Sequence, residues 1–345
     1  MFSKTIRRCA LATAVALWAM AAVSCEVEFS PNAEWKDVPV IYCVLDQDDD
    51  TTWARVERCY LGDKSIYSYS GISDSINYAP GTIDVALLAL SYGEVVDSMA
   101  MQRQIVDRAA GNFASEGQPV YCCRTRGRLR DDCHYVLRVR SRADGHVMAE
   151  SKPTPLVVQS KDNNGDPVPV VSKPANTGAF GFYESRGPAT AFCRIEWPAM
   201  QHARLYEPIV RFYYAIDGDT SYTDFKCGRV KGNSSSSNYY ILYSRSVFLE
   251  ELKQRLKDDP RQKKYVRRVD IFLNACSEEL NAYSATAGLT DNVEQGREVY
   301  SNIEGGKGIV ASRRTHLYKR VPSDSSMRSE MGLYYFILNL GINMI

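Results

Sequence analysis

The sequence is poor in histidine and has almost no excess of either charge. It contains four His among 345 residues, and 42 Lys and Arg stand against 41 Asp and Glu, so the formal net charge is +1. A protein that binds nucleic acid usually carries a marked basic excess. We therefore expect no nucleic-acid partner.

The short motifs of common enzymes are also missing. No His begins an HExxH zinc site, and no GxSxG turn is present to carry a serine nucleophile. Cys122, Cys123, Cys133 and His134 form a cluster of zinc-ligand types, but adjacent cysteines reach one ion only with a strained backbone. We predict no catalytic residues, no metal and no cofactor. An enzyme whose site no motif marks is a third-ranked alternative.

The N-terminus has the three-part layout of a secretory signal. Three basic residues precede the apolar run Cys9–Val23, whose 15 residues are fewer than the roughly 20 that a membrane span needs. Small residues come directly before Cys25, as in the bacterial lipobox. The sequence predicts a cleaved signal peptide over 1–24, acyl chains such as palmitate on Cys25, and a tether over 25–36.

Short strands separated by turn residues dominate the first half of the chain. Val38–Leu45 is predicted as a buried strand, and Trp53–Tyr60 as the antiparallel strand that returns after an acidic loop. Tyr135–Arg140 alternates between apolar and charged residues and leads into a turn at Gly145. These patterns predict a mainly β fold with an N-terminal Ig-like β-sandwich domain over 37–160.

The second half is also rich in strands but contains helical periodicity. A Pro-rich linker is predicted over 161–190 and a second β-rich domain over 191–345. Apolar residues repeat at helical spacing over 247–258, and two glutamates follow Ser277, which is typical of a helix start. We expect one or two short helices here and a last strand over Tyr334–Ile345.

Eight cysteines remain once the signal peptide is removed and Cys25 is acylated. Export permits disulfides, but no CxxC pair is present and a chain of this length does not require cross-links. Bridged and plainly buried cysteines are both compatible with the sequence. The eight positions are Cys43, Cys59, Cys122, Cys123, Cys133, Cys193, Cys227 and Cys276.

An acidic loop places oxygen-bearing side chains at the spacing of a calcium loop. Asp46, Asp48, Asp50 and Thr52 alternate, and Glu57 occupies the twelfth position. That motif needs Gly at position six, where this chain has Thr, and helices on both sides, where this chain has strands. We therefore expect a solvated acidic loop, with weak calcium binding as the alternative.

A glycine-rich segment lies near the C-terminus and comprises Ser301, Asn302, Ile303, Glu304, Gly305, Gly306, Lys307 and Gly308. A phosphate-binding loop has Ser or Thr after its Lys and continues into a helix, whereas Gly and β-prone residues follow Lys307 here. The segment therefore predicts a tight loop that enters a strand.

Taken together, these features resemble a family of Bacteroidota outer-membrane lipoproteins catalogued as domain of unknown function 4249. The likeness rests on Cys25, on Val38–Tyr42 with the acidic loop and Trp53–Val56, on Tyr135–Glu150, and most specifically on Tyr300–Ile309. It covers nearly the whole mature chain. The family implies an envelope lipoprotein, often encoded near TonB-dependent transporters, with no established catalytic residues.

The favoured function is therefore non-catalytic. We expect a lipoprotein that contacts outer-membrane lipid through its acyl chains and assists an outer-membrane complex such as a TonB-dependent transporter. The alternative is a protein that captures a glycan or peptide through aromatic loops, and the cell surface is favoured over the periplasmic face. The tyrosines in and near loops are Tyr67, Tyr69, Tyr78, Tyr239 and Tyr240.

The lipobox makes a direct prediction. A Cys25→Ala variant should lose acyl labelling and leave the membrane fraction, because a thioether-linked lipid needs the Cys25 sulfur. Metabolic labelling with an alkyne fatty acid measures this. Cys43→Ala should keep the label, and acylation that survives Cys25→Ala would contradict the assignment.

Overall fold

The computed structural model describes residues 37–59, 72–107, 117–168, 171–173, 192–233, 235–256, 264–287, 299–320 and 342–344. Of these residues, 58% lie in strands and 11% in helices, which confirms the mainly β fold. Asp37–Ile345 forms one compact unit. The predicted signal peptide, Cys25 and the tether lie outside the described residues.

The described residues of the first half form eight strands and one short helix. In β1 the side chains of Ile41, Cys43 and Leu45 point into the core, because a strand turns alternate residues to opposite faces. The elements are β1 (Pro39–Leu45), β2 (Thr51–Arg58), α1 (Ser73–Ile76), β3 (Ile83–Ser91), β4 (Glu94–Val106), β5 (Gln118–Arg124), β6 (His134–Ser141), β7 (Val147–Ser151) and β8 (Thr154–Pro155).

Strand β4 joins two layers of this half. Its first part pairs with β3, up to Met101, and its last part pairs with β5, from Gln102 onward. The sheet therefore turns back over itself and encloses one core, as in a β-sandwich. The largest fully buried side chains of this core include Ile41, Leu45, Leu87, Met99, Tyr135, Leu137 and Leu156.

In the second half, the part that the structure describes forms the remaining strands and two helices. One strand of this set falls inside the predicted Pro-rich linker, at Val171–Lys173. The elements are β9 (Val171–Lys173), β10 (Phe192–Pro198), β11 (Leu205–Ile216), β12 (Asp219–Lys226), β13 (Val230–Lys231), β14 (Asn238–Ser244), α2 (Arg245–Leu256), β15 (Lys264–Cys276), α3 (Glu278–Ala287), β16 (Ile303–Glu304), β17 (Lys307–Arg320) and β18 (Ile342–Met344).

A second core lies between two sheets of this half. The sheet β14-β10-β9 provides Ile195 and Trp197, and the layer formed by β12, β11 and β15 provides Phe212 and Ile271. Helix α2 adds Phe248 to the same core. The helix lies two residues earlier than the predicted 247–258 span, and no described helix is long and apolar enough to cross a membrane.

Strand β17 connects the two halves. Its first part, as far as Ser312, is parallel to β1 and pairs with it. Its second part, from Arg313 onward, is antiparallel to β15 and pairs with that strand. A fifteen-stranded sheet therefore runs through both halves. Ile303 and Val310, which fall within the predicted second domain, belong to the first core.

The C-terminal prediction falls mostly outside the described residues. Within Tyr334–Ile345, the structure describes Ile342–Met344 as β18, which pairs in parallel with β15.

Phe248 should carry much of the stability of the second core. Its ring lies 4.6 Å from that of Phe225 and 6.0 Å from that of Phe212, measured between centroids. Phe248→Ala should lower the free energy of unfolding by about 3–5 kcal/mol, because the cavity cannot fully collapse. Denaturant unfolding followed by tryptophan fluorescence measures the loss. Val247→Ala, next to it and half-exposed, should change stability by only about 0.5 kcal/mol.

Candidate functional site

Two arginines lie where β17 changes partner. Ser312 is the last residue paired with β1, and Arg313 and Arg314 are the first paired with β15. Helix α3 packs against the same strand. The strand change therefore places two guanidinium groups beside the loop that follows β1 and beside α3.

Carboxylates of the acidic loop form ion pairs with both arginines. Arg313 lies 3.3 Å from a carboxylate oxygen of Asp46, and Arg314 lies 3.1 Å from one of Asp48. Asp46 also accepts a hydrogen bond from the backbone N–H of Asp48 at 3.1 Å. Burial raises the pKa of Asp46 above its ordinary value, although the Asp48 N–H and Arg313 act in the opposite direction. The loop is therefore a charged contact between distant parts of the chain.

The residues of the calcium pattern are distributed along this loop and strand. Asp50 pairs with Arg126 at 3.1 Å, and the hydroxyls of Thr52 and Thr125 lie 3.0 Å apart. Glu57 accepts a hydrogen bond from Gln118 and is five residues beyond Thr52 on β2, or about 16 Å along an extended strand. Among the described residues, no three His, Cys, Asp or Glu side chains form a metal-binding group.

The glycine-rich segment packs backbone against backbone. Gly308 has φ +108°, and a Cβ there would overlap the carbonyl oxygen of Ile41 on β1. A Cβ on Gly306 would lie 2.6 Å from the carbonyl oxygen of Pro39. These positions therefore let β17 approach β1 closely enough to pair.

Asn302 completes the attachment of this segment. Its side chain is buried, accepts a hydrogen bond from Val310 N–H at 3.0 Å and donates one to Val310 C=O at 2.7 Å. Ser312 donates a hydrogen bond to the carbonyl of Pro155 at 2.7 Å. The predicted loop entering a strand is present, and its described contacts are internal to the fold.

An open groove of about 580 Å³ lies on the outer face of β1, β2 and β5, beside α3. Trp53 is 50% exposed there, and the rings of Tyr42 and Tyr283 meet edge to face with centroids 6.1 Å apart. The Arg55 guanidinium lies 4.5 Å from the centre of the Tyr42 ring. Burial and the neighbouring Tyr283 raise the pKa of Tyr42 to about 12, so its phenol stays neutral. Arg313 closes one side of the groove.

Strict two-residue periodicity could have identified part of this groove. Trp53 and Arg55 share the outer face of β2, whereas Ala54 and Val56 are buried. Tyr283 comes from a distant helix, and no local pattern pairs it with β1. Of the five tyrosines predicted in and near loops, only Tyr240 is shown to be exposed, at 51%. Tyr78 and Tyr239 are buried, and Tyr67 and Tyr69 lie outside the described residues.

The eight remaining cysteines are free thiols in this structure. Cys43 is fully buried, and burial raises the pKa of its thiol to about 12, while burial raises that of Cys123 to about 11. Thiols with raised pKa values are poor nucleophiles and poor metal ligands. Cys123 and Cys133 are buried and pack in the first core.

The histidines are spread over the described residues. The rings of His134 and His202 meet edge to face with centroids 6.4 Å apart. Burial is the main cause that lowers the pKa of His202, and the neighbouring His134 lowers it further. Burial also lowers the pKa of His316. His146 is exposed and lies 2.6 Å from Asp144 in a hairpin turn.

Compared with known proteins, the chain matches no family model and no curated relative. Its site is therefore characterised by the geometry of its own residues.

Gly308 provides a test of the β1–β17 contact. Gly308→Ala should destabilise the fold by about 4 kcal/mol or more, because the added methyl group collides with the Ile41 carbonyl. Gly93→Ala should cost only about 1–2 kcal/mol, since Gly93 also has positive φ, +87°, but open space around it. Denaturant unfolding of both variants measures the difference. Equal losses would show that backbone conformation, not contact, decides the effect.

Proposed function

We propose that this protein is a non-catalytic envelope lipoprotein, anchored in the outer membrane through Cys25, that binds a protein of an outer-membrane complex such as a TonB-dependent transporter. The groove that contains Trp53 supports this proposal. The sequence at the N-terminus supports the anchor, and the surface face of the membrane is the favoured side.

The groove has the composition of a protein-binding surface. Trp, Tyr and Arg are the residues most enriched at the energetic centres of interfaces, and Trp53, Tyr42, Tyr283 and Arg55 lie together here. The Tyr42 ring is fixed between Arg55 and Tyr283. A rigid aromatic surface loses little conformational entropy on binding, so its buried area contributes to affinity.

The position of the groove fits a membrane-bound partner. Asp37 lies twelve positions after Cys25, and an extended tether of this length reaches about 40 Å at most. Tyr42 follows Asp37 by five residues, or about 16 Å if the chain is extended. A lipid on Cys25 would therefore limit the distance between the groove and the membrane, which suits a membrane-bound partner.

The groove predicts a loss of partner binding in Trp53→Ala. Pull-down of the lipidated protein from native outer membrane in mild detergent should recover a stoichiometric partner with the wild type. Trp53→Ala should weaken its affinity about 30-fold, as expected for an aromatic residue at the centre of an interface. Quantitative mass spectrometry and titration of the purified pair measure both results.

Tyr240→Ala is the matched control. Tyr240 is 51% exposed, compared with 50% for Trp53, and Arg194 lies 4.0 Å from its ring centre, but it belongs to the separate sheet β14-β10-β9. It should retain the partner. Equal recovery with Trp53→Ala and the wild type, or isolation of the wild type alone, would contradict the proposal.

The second candidate function is capture of a glycan or peptide. The concave shape of the groove supports it, since about 580 Å³ is within the usual range for ligand sites and aromatic faces stack well on sugar rings and peptide side chains. Saturable binding by the purified protein in glycan and peptide screens, lost in Trp53→Ala, would favour this function. A protein partner lost in Trp53→Ala, with no such binding, would favour the first.

A further inference from the structure

A second cavity, of about 270 Å³, shares Arg313 with the groove but opens beside β11 and β15. Its polar wall includes Arg229, Arg313, Arg314 and Glu207. Trp53, Tyr42 and Tyr283 do not line it. The cavity is therefore a separate site with a different chemical character.

The three arginines leave hydrogen-bond donors for a ligand. Arg229 lies 3.1 Å from Glu207, and Arg314 lies 3.1 Å from Asp48 and also donates to Gln47. The Nε of Arg314 is buried and has no hydrogen-bond acceptor in the described part of the chain. Arg313 lies 3.3 Å from a carboxylate oxygen of Asp46 and 3.7 Å from one of Asp49. Since each guanidinium carries five N–H donors, these contacts do not saturate the three arginines.

Uncharged residues of the cavity wall add a further hydrogen-bond donor and an apolar surface. Asn274 Oδ1 accepts a hydrogen bond from Thr315 at 3.0 Å, which orients the amide NH₂ of Asn274 as a donor. Leu205 and Leu280 give the cavity an apolar part. Its volume is slightly below the range typical of drug-sized ligands, so it fits one small group.

We propose that this cavity binds a small organic carboxylate with a short apolar tail. The carboxylate would accept hydrogen bonds from Arg229 and Arg313, and the tail would pack on Leu205 and Leu280. A planar guanidinium matches a carboxylate in two-point geometry. The apolar side chains of Leu205 and Leu280 favour a ligand with a short apolar tail over inorganic phosphate, which has no apolar part to bury.

Two sources share this chemistry, namely a free carboxylic acid and the C-terminus of a peptide. The full lipidated protein in detergent micelles is titrated by calorimetry with 4-methylpentanoate, N-acetyl-leucine, N-acetyl-leucinamide, acetate and phosphate. Titrations into empty micelles correct for partition of the ligand. The branched carboxylates should bind about tenfold more tightly than acetate, because acetate has no tail to bury.

N-acetyl-leucinamide tests the charge, since it keeps the shape of N-acetyl-leucine but has no carboxylate. It should not bind detectably. Tighter binding of N-acetyl-leucine than of 4-methylpentanoate would indicate a peptide C-terminus as the natural source, and the reverse order a free acid. Tighter binding of phosphate than of either carboxylate would overturn the proposed ligand class.

Three variants test the site itself. Arg229→Gln should weaken binding about tenfold, and Glu207→Gln should tighten it several-fold by removing the carboxylate that competes for Arg229. Arg126→Gln removes an arginine that pairs with the acidic loop but does not line the cavity, and it should leave the affinity unchanged. Near-ultraviolet circular dichroism checks that the variants are folded.

Equal affinities of the wild type and Arg229→Gln, or equal binding of N-acetyl-leucinamide, would refute the proposal. Trp53→Ala should retain carboxylate binding, because Trp53 lies in the other groove. The test is thus independent of the proposed partner.

Discussion

The close parallel pairing of β17 with β1 is the contact on which the rest of the fold depends. Gly308 permits it, because any side chain there would meet the Ile41 carbonyl. The pairing brings residues separated by more than 250 positions together and closes the first core with Ile303 and Val310. It also carries the strand forward to β15, so both halves share one sheet.

The charged and open surfaces follow from the same contact. Where β17 leaves β1, Arg313 and Arg314 face the acidic loop, and the loop carboxylates compensate their charge. Arg313 also borders both cavities, one aromatic and one rich in arginine. The change of partner along β17 therefore positions an arginine that both cavities share.

Local pattern predicted much of the fold. The apolar run Val38–Leu45 and the alternation in Tyr135–Arg140 identified strands, and helical spacing identified α2 to within two residues, because these patterns depend on neighbours in the chain. The linker prediction over 161–190 did not anticipate β9. Its three residues pair with β10, and pairing with a distant strand leaves little trace in a short, Pro-rich segment.

The sequence by itself determined the mainly β class, the positions of strands such as β1, β2 and β6, and the glycine-rich loop that enters a strand. These features depend on backbone preferences and on the period of apolar residues, which are local. Only the tertiary structure decided which strands distant in the chain pair, that β17 pairs in both halves, and that Tyr42, Trp53 and Tyr283 line one groove. Those outcomes depend on contacts between residues far apart in the chain, which a single sequence does not encode as a pattern.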